Sequence, residues 1–87
     1  MELEILTPEK KLFTGSVYGV QLPGINGSFE ILEKHAAMVS ALGTGTLKVL
    51  FDKAGNKTES YTISGGFIEV LRNNISVLVE KAQTKEG

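Results

Sequence analysis

The sequence predicts an all-β domain, a sandwich or barrel of short antiparallel strands, and three observations lead there. Apolar and polar residues alternate with period two along most of the chain. Turn-forming residues break that alternation about every 6 to 12 positions, and no long segment carries a helical repeat. With 87 residues the chain makes one domain, because domains run from about 50 to 250 residues.

Leu3 and Ile5 alternate with Glu2 and Glu4 until Thr7-Pro8 interrupts. A second apolar stretch, residues 17–22, ends at Pro23-Gly24, and Asn26-Gly27 marks a turn just beyond. Residues 33–42 are the only segment long enough for a helix, but Val39, Ser40 and the glycine that follows favour strand or irregular loop. The clusters Gly43-Thr44-Gly45 and Gly65-Gly66 read as turn or bulge sites requiring φ > 0.

Two hairpins can be argued to register. Residues 46–52 and 58–64 are joined by a five-residue loop, 53–57, which sets Val49 opposite Tyr61 and Leu47 opposite Ile63. A loop one residue shorter would turn those apolar side chains toward polar partners. Residues 67–71 and 75–80 form the last hairpin. With Asn73-Asn74 as a two-residue loop, Val70 faces Val77 and Ile68 faces Val79, and asparagine tolerates the φ > 0 that such a loop demands. The domain is therefore expected to span 1–82, with 83–87 a polar tail, frayed from Thr84 onward.

Composition narrows the function. Hydrophobic content of 41% and charged content of 22% suit a folded globular chain. A net charge of −1 is the wrong balance for nucleic acid, which calls for a basic face. Zero cysteines remove disulfides, thiolate metal sites and cysteine nucleophiles. No apolar run is long enough for a spanning helix, and the acidic, alternating N-terminus is the reverse of a signal peptide. The expected location is cytosolic, with any membrane contact made through a partner.

His35, the single histidine, reads either as a general base or polar contact or as a loop residue without a role. One histidine makes no multi-histidine metal site, and nothing resembles a nucleophile elbow. Gly24 to Gly27 lacks the Gly-Lys-Ser/Thr ending of a phosphate loop, and Gly65-Gly66 is no better. No cofactor is expected. In the last hairpin, Phe67, Leu71 and Leu78 point away from the core-facing residues. Such a group marks either a protein interface or a strand covered on both sides.

The ordered motifs Leu3-Glu4-Ile5-Leu6-Thr7-Pro8-Glu9-Lys10, Leu12-Phe13-Thr14-Gly15, Val20-Gln21-Leu22-Pro23-Gly24, Gly27-Ser28-Phe29 and His35-Ala36 run through the chain, followed by Tyr61-Thr62-Ile63-Ser64-Gly65-Gly66-Phe67-Ile68-Glu69-Val70 and Asn74-Ile75-Ser76-Val77-Leu78. Together they resemble the epsilon subunit family of F-type ATP synthases. The resemblance implies a β-sandwich of about ten strands in the rotary central stalk. It implies a non-catalytic coupling that binds the gamma subunit on one side and the membrane c-ring on the other, on the cytoplasmic side of the bacterial inner membrane. Carried over by position, Ser28, Glu30, His35 and Ala36 would face the c-ring, and Phe67, Leu71 and Leu78 the gamma subunit. The alternative is a small ligand-binding or hydrolytic β-sandwich using His35. The chain departs from the family at Glu33-Lys34 and Ala37, where Pro-Gly and Pro flank the histidine in the pattern, and at Glu30, where glycine is frequent. The C-terminal helical hairpin of most bacterial relatives is not in this sequence, which is either a naturally short form, the reading we expect, or a trimmed piece of a longer chain; the short form would not inhibit through that hairpin.

Overall fold

Strand after strand, the alternating side chains divide between a common interior and solvent. The computed structural model describes residues 1–85. Its strands are β1 (Glu2–Leu6), β2 (Lys11–Ser16), β3 (Gly19–Gly24), β4 (Gly27–Leu32), β5 (Met38–Leu50), β6 (Thr58–Leu71), β7 (Asn74–Val79) and β8 (Ala82–Lys85). Among the described residues there are thus eight strands rather than about ten. The all-β class stands.

The hydrogen-bonded order is β2-β1-β7-β6-β5-β3-β4, with β8 also along β6. Strands β5 and β6, of 13 and 14 residues, pair along their whole length and carry the domain. The later half of β6 (Gly66 to Leu71) holds β7, whereas its earlier half (Ser60 to Ile63) holds β8. Opposite the earlier half, β5 passes the ladder on to β3 and β4. The sheet therefore folds over itself at Gly43 and Gly65, and two layers enclose one core.

That fold-over is visible in which residues are buried. Ile68 and Val70 face inward after the bend, but Tyr61 and Ile63 do so before it, so the alternation changes phase. The change needs Gly65 and Gly66, whose φ values are +71° and +139°, a region that side chains resist. A Cβ at Gly66 would also lie 2.8 Å from Val79 Cα. Strand β5 changes phase in parallel, with Leu42 inward on one side and Leu47 and Val49 on the other. Gly43 and Gly45 do not take positive φ, contrary to expectation. Gly45 instead makes room for Pro23, whose Cβ would stand 2.8 Å from an added Cβ. Pro23 itself lies inside β3, where the ladder to β5 shifts between Gln21 and Gly24, as expected for a residue with no N–H to give.

The core is apolar throughout: Leu3, Ile5, Leu22, Ile31, Leu47, Ile63, Ile68 and Ile75 are all but completely buried. No buried polar or charged side chain occurs among the described residues. Both hairpins put the expected side chains inside, yet each sits two residues out of the expected register. In the last one, Val70 pairs Ile75 and Ile68 pairs Val77. The loop is Arg72-Asn73, with φ of +51° and +65°. Asn74 begins β7 and gives its side-chain amide to the Arg72 carbonyl at 3.2 Å. In the middle hairpin Leu47 pairs Tyr61 and Val49 pairs Glu59. Phe51 closes on the Lys57 carbonyl at 3.0 Å, so the loop has the expected five residues but runs 52–56. Asp52 is the reason: its two carboxylate oxygens accept the N–H groups of Asn56 at 2.9 Å and Lys57 at 3.2 Å. Such local bonds pull an aspartate out of a strand and into a turn.

Two further differences concern the ends. Strand β1 runs parallel to β7, whereas every pairing was expected to be antiparallel. Residues 83–85, expected to begin the tail, continue from Ala82 as β8, with Tyr61 opposite Thr84; Glu86 and Gly87 lie outside the described residues.

Candidate protein-interaction surfaces

Because Leu3, Ile5, Ile68, Val70, Ile75 and Val77 face inward, the residues between them build the outer face of the first layer. The registers arrange that face in rows across the strands. Ala41, Phe67, Leu78 and Leu6 form an apolar row over β5, β6, β7 and β1. Val39, Glu69, Ser76 and Glu4 form the next row. Leu71 lies one row further still, beside Asn74. Phe67 (47%), Leu71 (51%) and Leu78 (37%) are exposed, as is Val39 (68%). Of the two sequence readings, the strand covered on both sides within the domain is therefore excluded; the group is an open apolar face.

At the Gly65-Gly66 bend this face deepens into a groove with Leu6, Pro8, Phe67 and Leu78 on its walls and Glu80 at its margin. Sequence reasoning singled out Phe67 and Leu78 but missed Leu6, Pro8 and Val39. The parallel β1–β7 pairing brings Leu6 beside Leu78, and no local signal announces a parallel pairing between the two ends of a chain. Val39 was hidden by the phase change in β5, since extending the Leu47–Val49 alternation backward would have placed it inside. Glu4, in the second row, makes a 3.2 Å ion pair with Lys11.

The second candidate region is less unified. Ser28 and Glu30 lie exposed on β4 at the sheet margin, opposite Pro23 and Gln21. Glu30 accepts a 2.8 Å hydrogen bond from the Gln21 amide, and with Ser28, Thr46 and Lys48 the pair lines a groove of mixed polarity that Leu22 and Phe29 share. At the tip of the β3–β4 hairpin Ile25 is 68% exposed, an apolar residue absent from the sequence-based set. His35 and Ala36 follow β4 in an exposed loop and line neither groove.

That loop is nonetheless ordered by specific bonds. The His35 N–H donates to the Leu32 carbonyl at 3.2 Å, and ring Nδ1 lies 2.9 Å from the Ala36 carbonyl. Lys34 has φ +64° and donates its N–H to Asn73 Oδ1 at 3.1 Å. The left-handed backbone that a glycine adopts freely is therefore present at Lys34, held from the neighbouring turn. A hydrolytic role for His35 finds no support: among the described residues no oriented carboxylate or hydroxyl bonds the ring, whose partner is the Ala36 carbonyl. Burial raises the Tyr61 phenol above its usual range, and the adjacent Glu59 carboxylate, which accepts its hydroxyl at 3.2 Å, adds to the effect.

Comparison with known proteins adds a family to this geometry. Residues 1–85 match the family described as ATP synthase, Delta/Epsilon chain, beta-sandwich domain. The ATP synthase epsilon chain of Salinibacter ruber is 38% identical over 89 residues, covering 95% of this chain and 60% of that protein. Its counterpart from Maridesulfovibrio salexigens is 43% identical over 81 residues, covering 93% of this chain and 55% of the relative. For Leptospira borgpetersenii the figures are 37% over 86 residues, 99% and 65%. The chain thus spans less than two thirds of the length of these relatives. Two solved assemblies contain chains of the same fold. One is Euglena gracilis mitochondrial ATP synthase, OSCP/F1/c-ring, with TM-score 0.86, 24% identity, and coverage of 94% of this chain and 51% of that one. The other is the central stalk/c-ring of Tetrahymena thermophila mitochondrial ATP synthase, with TM-score 0.77, 24% identity, and coverage of 94% and 64%.

Proposed function

The chain belongs to the ATP synthase delta/epsilon chain β-sandwich family, and from that premise we propose that it serves as a non-catalytic rotor subunit of a proton-translocating ATP synthase. In this role it couples rotation of the c-ring to the gamma subunit, from a peripheral position on the cytoplasmic side of the bacterial inner membrane. No helix among the described residues is long and apolar enough to cross a membrane, so attachment runs through partners.

The observation that carries the reading is the open apolar row of Phe67, Leu78 and Leu6 on an otherwise well-packed domain. Exposed apolar residues assembled across four strands are the kind of surface that a stable partner covers. We assign this face, with Leu71 at its margin, to the gamma subunit. Ser28 and Glu30 on β4, and His35 and Ala36 in the following loop, are assigned to the polar loops of the c-ring. Hydrogen bonds of that kind contribute about 0.5 to 1.5 kcal/mol each, so ring contact depends on several acting together.

Two experiments test these assignments. Purified gamma subunit is captured by immobilised wild-type chain and poorly by a Phe67→Ser, Leu78→Ser variant; equal capture by both would move the interface elsewhere. A Glu30→Ala, His35→Ala variant lowers proton-driven ATP synthesis in membranes without changing the circular dichroism of the isolated chain. Undiminished synthesis would remove both residues from the ring contact.

A further inference from the structure

We infer that the groove at the Gly65-Gly66 bend is an acid-rimmed seat for one amphipathic helix of the partner, with lysine or arginine flanking its apolar stripe. Leu6, Phe67 and Leu78 supply the apolar floor. Glu69 and Glu4 stand in the adjacent row on one side, and Glu80 lines the margin on the other. Glu4 is neutralised by Lys11, which lies opposite Leu6 in the β1–β2 ladder, but among the described residues no lysine or arginine lines the groove itself. Glu69 and Glu80, with no ion pair among the described residues and set beside an apolar floor, favour a partner that brings the opposite charge.

The geometry selects a helix over an added strand. Strands β6 and β7 are bonded to neighbours on both sides in this layer, so their backbones have no ladder positions left and recognition falls to side chains. Three inter-strand spacings of about 4.8 Å make the apolar row roughly 14 Å long, or between two and three helical turns. Rows two residues apart along a strand lie about 6.6 Å from each other. A helix about 10 Å across, seated on the apolar row, holds its flanking residues above the acidic row. The inference rests on the proposed rotor role only for the identity of the natural partner.

The test uses three probes. A synthetic helical peptide with leucines at i, i+3, i+4 and i+7 flanked by lysines, a control with glutamates in place of the lysines, and the purified gamma subunit are each titrated against the chain. The lysine peptide shifts backbone amide resonances of residues 65–69 and 78–80, and the glutamate peptide does not. Changing Glu69→Gln with Glu80→Gln, both exposed and outside the core, weakens the lysine peptide and gamma about fivefold at low salt, and less than twofold near 1 M salt. Equal binding of the two peptides, or a double variant that binds gamma as tightly as wild type at low salt, overturns the inference. If gamma fails to bind at all while the lysine peptide binds at the groove, the rotor assignment falls and the acid-rimmed site stands.

Discussion

Replacing Gly66 by alanine tests the folded-over sheet most directly, since this residue sits where the two layers part. Its φ of +139° lies where an L side chain is strained, at a cost of about 1 to 3 kcal/mol. The new Cβ would meet the backbone of β7, with Val79 Cα 2.8 Å away and the Leu78 carbonyl nearer still. Relief requires β6 and β7 to separate at the Gly66–Val79 pair. That forfeits a ladder bond worth about 1 kcal/mol and displaces the buried Val79 side chain, for a further 1 kcal/mol or so. The sum, about 3 to 5 kcal/mol, is a large part of the roughly 4 to 13 kcal/mol expected of a domain this size. Gly27→Ala is the matched control. Its φ is +123°, but nothing lies within 4 Å of an added Cβ, so only the backbone strain remains. Urea unfolding followed by circular dichroism reads both. Gly66→Ala should lose at least about 2 kcal/mol more than Gly27→Ala. Equal losses would refute the close approach of β6 to β7, and with it the account of how the sheet turns.

Asp52→Ala, which removes the acceptor for two loop N–H groups, should destabilise by about 1 kcal/mol; an unchanged urea midpoint would show that the loop closes without it. Arg72→Asn places a residue tolerant of the left-handed region at φ +51° and should stabilise by a few tenths of a kcal/mol to about 1, seen as a higher midpoint. The raised phenol of Tyr61 stabilises the fold fully below the unfolded value near 10, and that contribution is lost as pH climbs through the higher folded value. Stability of wild type should therefore fall above about pH 10 more steeply than that of Tyr61→Phe, and parallel pH profiles would argue against it.

The alternation was legible because it is local. Residues two apart share a face whatever they pair with, so Val70, Ile68, Val77 and Val79 were correctly placed inside although their partners were not. Both register errors were shifts of two, which preserve the face; a shift of one would have turned apolar side chains to water. What decided the true register was polar and local in another sense: Asp52 capping its own loop, and Arg72 accepting positive φ while Asn74 bonded backward. The family motifs were legible for a similar reason, since the glycines of Gly65-Gly66 answer a steric demand that nothing else in the chain could meet.

The candidate surfaces were legible in part. Phe67, Leu71 and Leu78 followed from alternation alone, but Leu6 and Pro8 entered only when β1 came to lie along β7. His35 and Ala36 were singled out by resemblance, and their setting depends on Lys34 being held by Asn73, 39 residues away in sequence.

By itself, then, the sequence determined the class of the fold, the inward-facing residues of the two hairpins, and the family. Those depend on period, on turn chemistry and on motifs read within a few residues. The tertiary structure decided the count of strands, the parallel pairing of the chain's two ends, and the joining of Leu6 to Phe67 and Leu78 in a groove between acidic margins. Those depend on which distant segments share a ladder, and that choice belongs to the packing of the whole core.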